Sequence, residues 1–208
     1  MNVKRFMASQ LRKPTGWFGS LVVSRMMNRG NRQIIEGTLA LLELRPQDHV
    51  LEIGFGGGSA LLEVSRRLRS GVVSGIDISP DLVRRAESRF RREIAEGRVR
   101  VQLGDISHLP FPAAAFDRAF TINTIYFWPD ALQGLSEIRR VLKDGGLAAV
   151  SLRSKEKMQR YAVTKYDFQL FSKDEVADLM RQVGFRNVGV DHRDENKLYD
   201  QVIVVGTC

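Results

Sequence analysis

Between residues 51 and 58 the chain reads Leu51-Glu52-Ile53-Gly54-Phe55-Gly56-Gly57-Gly58. Glycines in such a run let the backbone turn sharply and approach a ligand closely. The N–H groups freed there, with those opening a following helix, suit an anionic ligand group. Gly54 and Gly56 match the first two positions of the dinucleotide-binding run G-x-G-x-x-G, but Ser59 stands where the third glycine belongs. Glu52, two residues ahead of Gly54, is also unexpected in that run. No Gly-Lys-Ser/Thr follows, which excludes a Walker phosphate loop. Asp77 closes the next strand-like run, 23 residues beyond Gly54, where a carboxylate can accept both hydroxyls of a ribose. Asp105, in Leu103-Gly104-Asp105-Ile106, closes the run after that. It could accept a hydrogen bond from an adenine amino group, with Ile78 and Ile106 flanking the ring. Each aspartate taken singly could be a helix N-cap. Three acids at three successive strand ends beside one glycine loop are harder to explain that way.

The elements that must position these residues follow from periodicity. Strand-like runs at His49–Ile53, Val72–Ile76, Arg98–Leu103, Phe116–Ile122 and Leu147–Leu152 alternate with helical patterns near 59–69, 80–96 and 130–142. That alternation predicts a doubly wound α/β fold, a mainly parallel sheet with helices on both faces. Right-handed crossovers leave few topologies. Ser172 and Glu175 predict a capping box opening a helix whose apolar face is Val176, Leu179, Met180 and Val183, with Gly184 as its C′ residue. Two β-like runs follow, Phe185–Asp191 and Tyr199–Val205, and the short polar turn His192–Lys197 between them allows only an antiparallel pair. The first 47 residues look helical, interrupted at Pro14-Thr15-Gly16 and Arg29-Gly30-Asn31, and 34–44 is spaced to pack on the sheet.

Two hundred and eight residues, 43% hydrophobic and 27% charged, fit one globular domain and exclude a disordered or fibrous chain. No apolar run approaches the roughly 18 residues of a membrane span. The lone cysteine, Cys208, and the absence of a leader-like N-terminus fit a reducing cytoplasm. The formal net charge of +8 is concentrated in residues 1–35, which hold seven basic residues and no acid. Such an arm, mixed with Phe6, Leu11, Trp17 and Phe18, suits weak association with an anionic membrane surface, an acidic substrate or nucleic acid, or simple solvation.

The series LEIGFGGG, GIDIS, GDISHLPFPAAAFD and IRRVLKDGGLAAVSL resembles the class I S-adenosylmethionine-dependent methyltransferases over roughly residues 34–152. Within that class it is most similar to small-molecule enzymes such as the quinone-biosynthesis methyltransferases. The resemblance implies S-adenosylmethionine as cofactor and a seven-stranded sheet whose last strand inserts antiparallel. By position, Glu52, Gly54, Phe55, Gly56 and Gly58 would line the methionine end, Asp77 would hold the ribose, and Asp105 with Ile78 and Ile106 the adenine. Lys143-Asp144-Gly145-Gly146 departs from the pattern, since a proline often precedes the glycines.

The acceptor should then lie outside the carboxyl ends of the strands. Asn123 is placed to contact the cofactor, while Tyr126 and Trp128 either shape the acceptor side or pack a helix start. Trp17 belongs to an arm, residues 1–33, that could close as a lid hinged at Gly16 and Gly19 over the methyltransferase domain, 34–208. A second lid candidate is 154–171, with Tyr161, Tyr166 and Phe168. Of the histidines, His49 reads as structural, His108 as able to reach the cofactor's edge and His192 as solvated in the hairpin turn. None has metal-ligand spacing, and no catalytic base is assigned. The expected activity is methyl transfer to a small-molecule acceptor at an O, N or C centre. The alternatives are a nucleic-acid (RNA) methyltransferase or a non-catalytic cofactor- or membrane-surface-binding protein. Ile122-Asn123-Thr124 lacks the Asn/Asp-Pro-Pro-aromatic signature of base-amine methylation, which disfavours nucleic acid.

Overall fold

A computed structural model describes residues 7, 9–11, 31–166, 168–193 and 200–208, with Arg193 as backbone only. Seven strands form one sheet: β1 (His49–Ile53), β2 (Val72–Asp77), β3 (Val99–Leu103), β4 (Phe116–Ile122), β5 (Leu142–Leu152), β6 (Arg186–Arg193) and β7 (Gln201–Thr207). Their order is β3-β2-β1-β4-β5-β7-β6. The first five run parallel, and β7 is inserted antiparallel between β5 and β6. The chain builds outward from β1 to β3, then returns to place β4 on the other side of β1. Connections leaving β1 and β4 therefore go to opposite faces, and a crevice opens at their carboxyl ends.

Side chains alternate between faces along each strand, so two cores form. Val50 and Phe120 pack on one face with α1 (Arg32–Leu41), α2 (Ser59–Arg67) and α3 (Pro80–Arg89). Leu51 and Ile53 pack on the other with α5 (Ala131–Val141) and α6 (Lys173–Gln182). Burial on both faces is why Leu147–Leu152 reads as a nearly continuous apolar run rather than an alternation.

Local chemistry sets the helix starts. Ser79 caps α3 with Pro80 behind it, and Asp130 accepts N–H bonds from Leu132 and Gln133 to open α5. Ser172 and Glu175 form the expected capping box, and Gly184 has the left-handed φ of 95° that a C′ residue needs.

Three expectations need correction. The 80–96 helix breaks at Phe90, which leaves helical geometry to bury its ring, so α4 (Arg91–Ala95) is separate. β5 begins at Leu142 rather than Leu147, because Leu142 pairs with Phe116 before a register shift. β6 continues through His192 to Arg193, and β7 starts at Gln201. His192 is therefore a strand residue opposite Val202, its Nε2 2.7 Å from Asp200 Oδ1.

Candidate active site

The β1–α2 turn carries positive φ at Gly54 (71°), Gly56 (52°) and Gly58 (72°), a conformation that only glycine adopts without strain. The three serve different ends. A Cβ on Gly54 would sit 2.5 Å from Thr124 Cγ2, so the loop lies tight against the β4 exit. A Cβ on Gly58 would sit 2.8 Å from the Phe90 ring. Gly58 thus serves packing and lines none of the clefts described below, while Gly57 lines one.

Asp77 ties the turn to the neighbouring strand. Its Oδ2 accepts the Gly56 N–H at 3.0 Å and its Oδ1 the Ser79 N–H at 2.9 Å. Burial raises its pKa above the ordinary value against the backbone N–H groups of Ser79, Gly56 and Ile78. Glu52 lies on β1, 3% exposed, and its Oε2 has no hydrogen-bond partner. Burial first, and the nearby Asp77 charge second, hold its carboxyl well above the usual range. An unpartnered buried carboxyl oxygen is costly and calls for a donor that the chain itself does not supply. Asp105 is exposed and accepts the Ser107 N–H at 2.8 Å.

The 104–115 segment that carries Asp105 has no helix and is held from α5. Glu137 accepts the Leu109 N–H at 2.8 Å, and Arg140 donates to the carbonyls of Leu109 (3.0 Å) and Phe111 (2.8 Å). Arg140 also binds Glu137 and holds its carboxyl below the ordinary value.

Three clefts meet here. The first, about 780 Å³, is walled by Gly54, Gly56, Asp77, Ile78, Asp105, Ile106, Asn123 and Trp128. A smaller one, about 330 Å³, lies behind the glycine turn against Glu52, Phe55, Gly57 and Asn31. The third, about 1050 Å³, is lined by Tyr126, Phe127, Arg153, Met158, Tyr161 and Phe168 among others. Gly54 and Gly56 border the first two clefts, Asn31 the second and third, and Asn123 the first and third. The junction is marked by a hydrogen bond from Asn123 Nδ2 to Asn31 Oδ1 at 3.0 Å. Asn123 holds a left-handed φ of 58° at the β4 exit, a conformation that asparagine tolerates better than most residues.

Tyr126 borders the third cleft and Trp128 the first. The Tyr126 hydroxyl accepts the Arg153 N–H at 2.6 Å and donates to the Arg153 carbonyl at 3.2 Å. Burial pushes its ionisation above the ordinary phenol range, so it stays neutral. Trp128 donates its indole N–H to Thr124 Oγ1 at 3.2 Å. Phe168 stacks edge-on against Phe127 at 4.6 Å between ring centres. Leu11 borders both the first and third clefts, and Trp17 lies outside the described residues. His108 sits in a turn after Asp105, and His49 is exposed at the far end of β1. Among the described residues no cluster of His, Cys, Asp or Glu could hold a metal ion, and no helix is long and apolar enough to cross a membrane.

Asn31, Gly57, Thr124 and Arg153 were not singled out from the sequence. Thr124 lies next to Asn123, so the end of β4 was the available signal. Asn31 and Arg153 reach the junction through contacts with no local pattern.

This strand order with its single reversed strand, and a site of this build at the switch point, is that of the class I S-adenosylmethionine-dependent methyltransferases. The chain belongs to that class. More narrowly, residues 50–146 match the methyltransferase domain family. The chain is 26% identical to the uncharacterized methyltransferase YdaC of Bacillus subtilis over 174 residues, 84% of this chain and 91% of that protein. It is 31% identical over 147 residues to 2-methyl-6-phytyl-1,4-hydroquinone methyltransferase 1 of Oryza sativa subsp. japonica. That match covers 68% of this chain but only 43% of the rice protein. A solved SAM-dependent methyltransferase from Aquifex aeolicus superimposes with a TM-score of 0.73 at 22% identity, covering 88% of this chain and 95% of the other.

Proposed function

We propose that the protein transfers a methyl group from S-adenosylmethionine to a small-molecule acceptor, at an oxygen, nitrogen or carbon centre, held in the third cleft. The cofactor, when bound, supplies a methyl group already activated by its sulfonium, so the protein's work is orientation, proximity and exclusion of water. The residues present suit it. Asp77 keeps lone-pair capacity for the ribose hydroxyls beyond the N–H groups of Gly56, Ser79 and Ile78. Ile78 and Ile106 offer apolar walls for adenine beside the Asp105 carboxylate. The unpartnered Glu52 oxygen is matched by the ammonium of the methionine end. These assignments put the reacting centre near Gly54, Asn31 and Asn123, where the third cleft opens.

The observation that carries the reading is this convergence of three clefts on one junction, with an unpartnered buried carboxyl oxygen at its cofactor side. Leu11 at the shared rim supports a covering role for residues 1–33, whose other residues are mostly outside the described set. The test is incubation of the full chain with S-adenosylmethionine and a library of phenols, thiols, amines, acids and quinols, with a methyl mass gain as readout. Alkylation of a library member, with release of S-adenosylhomocysteine, is expected. Binding of S-adenosylhomocysteine with no methylated product from any class would favour a cofactor-binding protein without catalysis.

A further inference from the structure

The third cleft constrains the acceptor's charge. Its described walls are largely apolar, and Arg153 is the one charged side chain among them. None of them is an aspartate, glutamate or histidine. Its two ionisable hydroxyls belong to Tyr126, clamped by the Arg153 backbone, and Tyr161. Asp200, the carboxylate that acts on Tyr126, is engaged by the Ser154 hydroxyl and by His192. His49 and His108 border neither the cofactor clefts nor this one.

Among the described residues the cleft has no base, and residues 1–35 add none. Residues 1–35 contain no aspartate, glutamate or histidine. Leu11 and Asn31 both border the cleft. A cation beside an apolar cleft, as Arg153 is here, lowers the cost of bringing in an anion and steers it there.

We infer that the acceptor is an anion with an apolar body, methylated at its own ionised oxygen or sulfur without a protein base. This rests on the methyl-transfer reading and narrows its substrate class. A lone pair of the anion forms the bond to the methyl carbon, while the carbon–sulfur bond breaks and leaves its electrons on sulfur. The sulfonium and the nucleophile each lose their charge, and no proton changes hands. A carboxylate, an acidic phenol or a thiol acidic enough to ionise near neutral pH meets this condition; an amine protonated at neutral pH does not.

A binding measurement tests this without turnover. The probe is 4-nitrophenol, whose ionised form is coloured, titrated with pH in the presence of the full chain saturated with S-adenosylhomocysteine. A site that favours the anion raises the probe's ionisation constant, here by roughly tenfold, as a nearby cation does for acidic groups. Arg153→Met should remove most of that shift while calorimetry shows S-adenosylhomocysteine still bound. Asp167, beside Phe168 in sequence, and Asp194 and Glu195, between His192 and Asp200, lie outside the described residues and are the competing sources of a base. Three results would overturn the inference: a bound probe that ionises no more readily than the free one, a probe that stays unbound while S-adenosylhomocysteine binds, or a shift that emerges only in Asp167→Asn, Asp194→Asn or Glu195→Gln. Failure of S-adenosylhomocysteine to bind would instead overturn the methyl-transfer reading beneath it.

Discussion

The cofactor side and the acceptor side of this molecule are built differently. The first is made of strand ends: Glu52, Asp77 and Asp105 belong to three neighbouring parallel strands or their exits, and the glycine turn is hydrogen-bonded to one of them. The second is assembled from segments remote in sequence. Leu11, Asn31, the 125–127 turn of 3₁₀ helix and residues 153–168 meet only because the sheet brings them together. A site fixed by the sheet recognises an invariant ligand, whereas one fixed by connecting segments can change with its acceptor.

If that contrast is right, damage to one side should spare the other. The largest effect is expected from deleting residues 1–30, which should abolish methyl transfer while S-adenosylhomocysteine affinity, read by calorimetry, falls less than tenfold. Unchanged turnover would refute the covering role. On the cofactor side, Asp77→Ala removes a buried acceptor and leaves the Gly56 and Ser79 N–H groups without it. A loss of about 10- to 100-fold in S-adenosylhomocysteine affinity is expected, in line with about 1.5–3 kcal/mol for hydrogen bonds to a charged group.

Glu52→Gln sharpens the comparison through pH. Burial and Asp77 raise the Glu52 pKa in the folded chain, so the folded state holds its proton where the unfolded state has released it. Its favourable contribution is complete below the ordinary carboxylate range and is lost as pH rises from that range through the folded value. The ligand-free protein should therefore lose thermal stability on that rise. Glu52→Gln should flatten the slope in part, Asp77 contributing the remainder with the same sign. The variant should be more stable than the native chain at neutral pH yet bind S-adenosylhomocysteine about tenfold more weakly, a trade between stability and function. The smallest effect on the cofactor side belongs to Tyr126→Phe. It strips the Arg153 N–H and carbonyl of a buried partner and should cost about 1–3 kcal/mol in denaturant unfolding, with S-adenosylhomocysteine affinity within twofold.

The same contrast governs what the sequence discloses. The acids at residues 52, 77 and 105 are legible because a parallel sheet gathers its strand ends on one side, so spacing along the chain translates into proximity. The capping box at Ser172 and Glu175 is legible because it is local. Gly58 is not, since a run of glycines does not reveal whether an added Cβ would strike a ligand or, as here, Phe90. The Asn31–Asn123 pair is not either, because 92 residues separate two asparagines whose neighbourhoods carry no shared pattern. His192 reads as a turn residue from its polar neighbours, yet pairing with Gln201 and Val202 and its contact with Asp200 extend the strand past it.

The central claim is that one adenosyl ligand spans the glycine turn from Glu52 to Asp105. A crystal structure of the chain with S-adenosylhomocysteine tests it most directly. The account predicts adenine between Ile78 and Ile106, the ribose hydroxyls on Asp77 and the ammonium on Glu52 Oε2. A ligand bound elsewhere, or ribose hydroxyls turned away from Asp77, would contradict it.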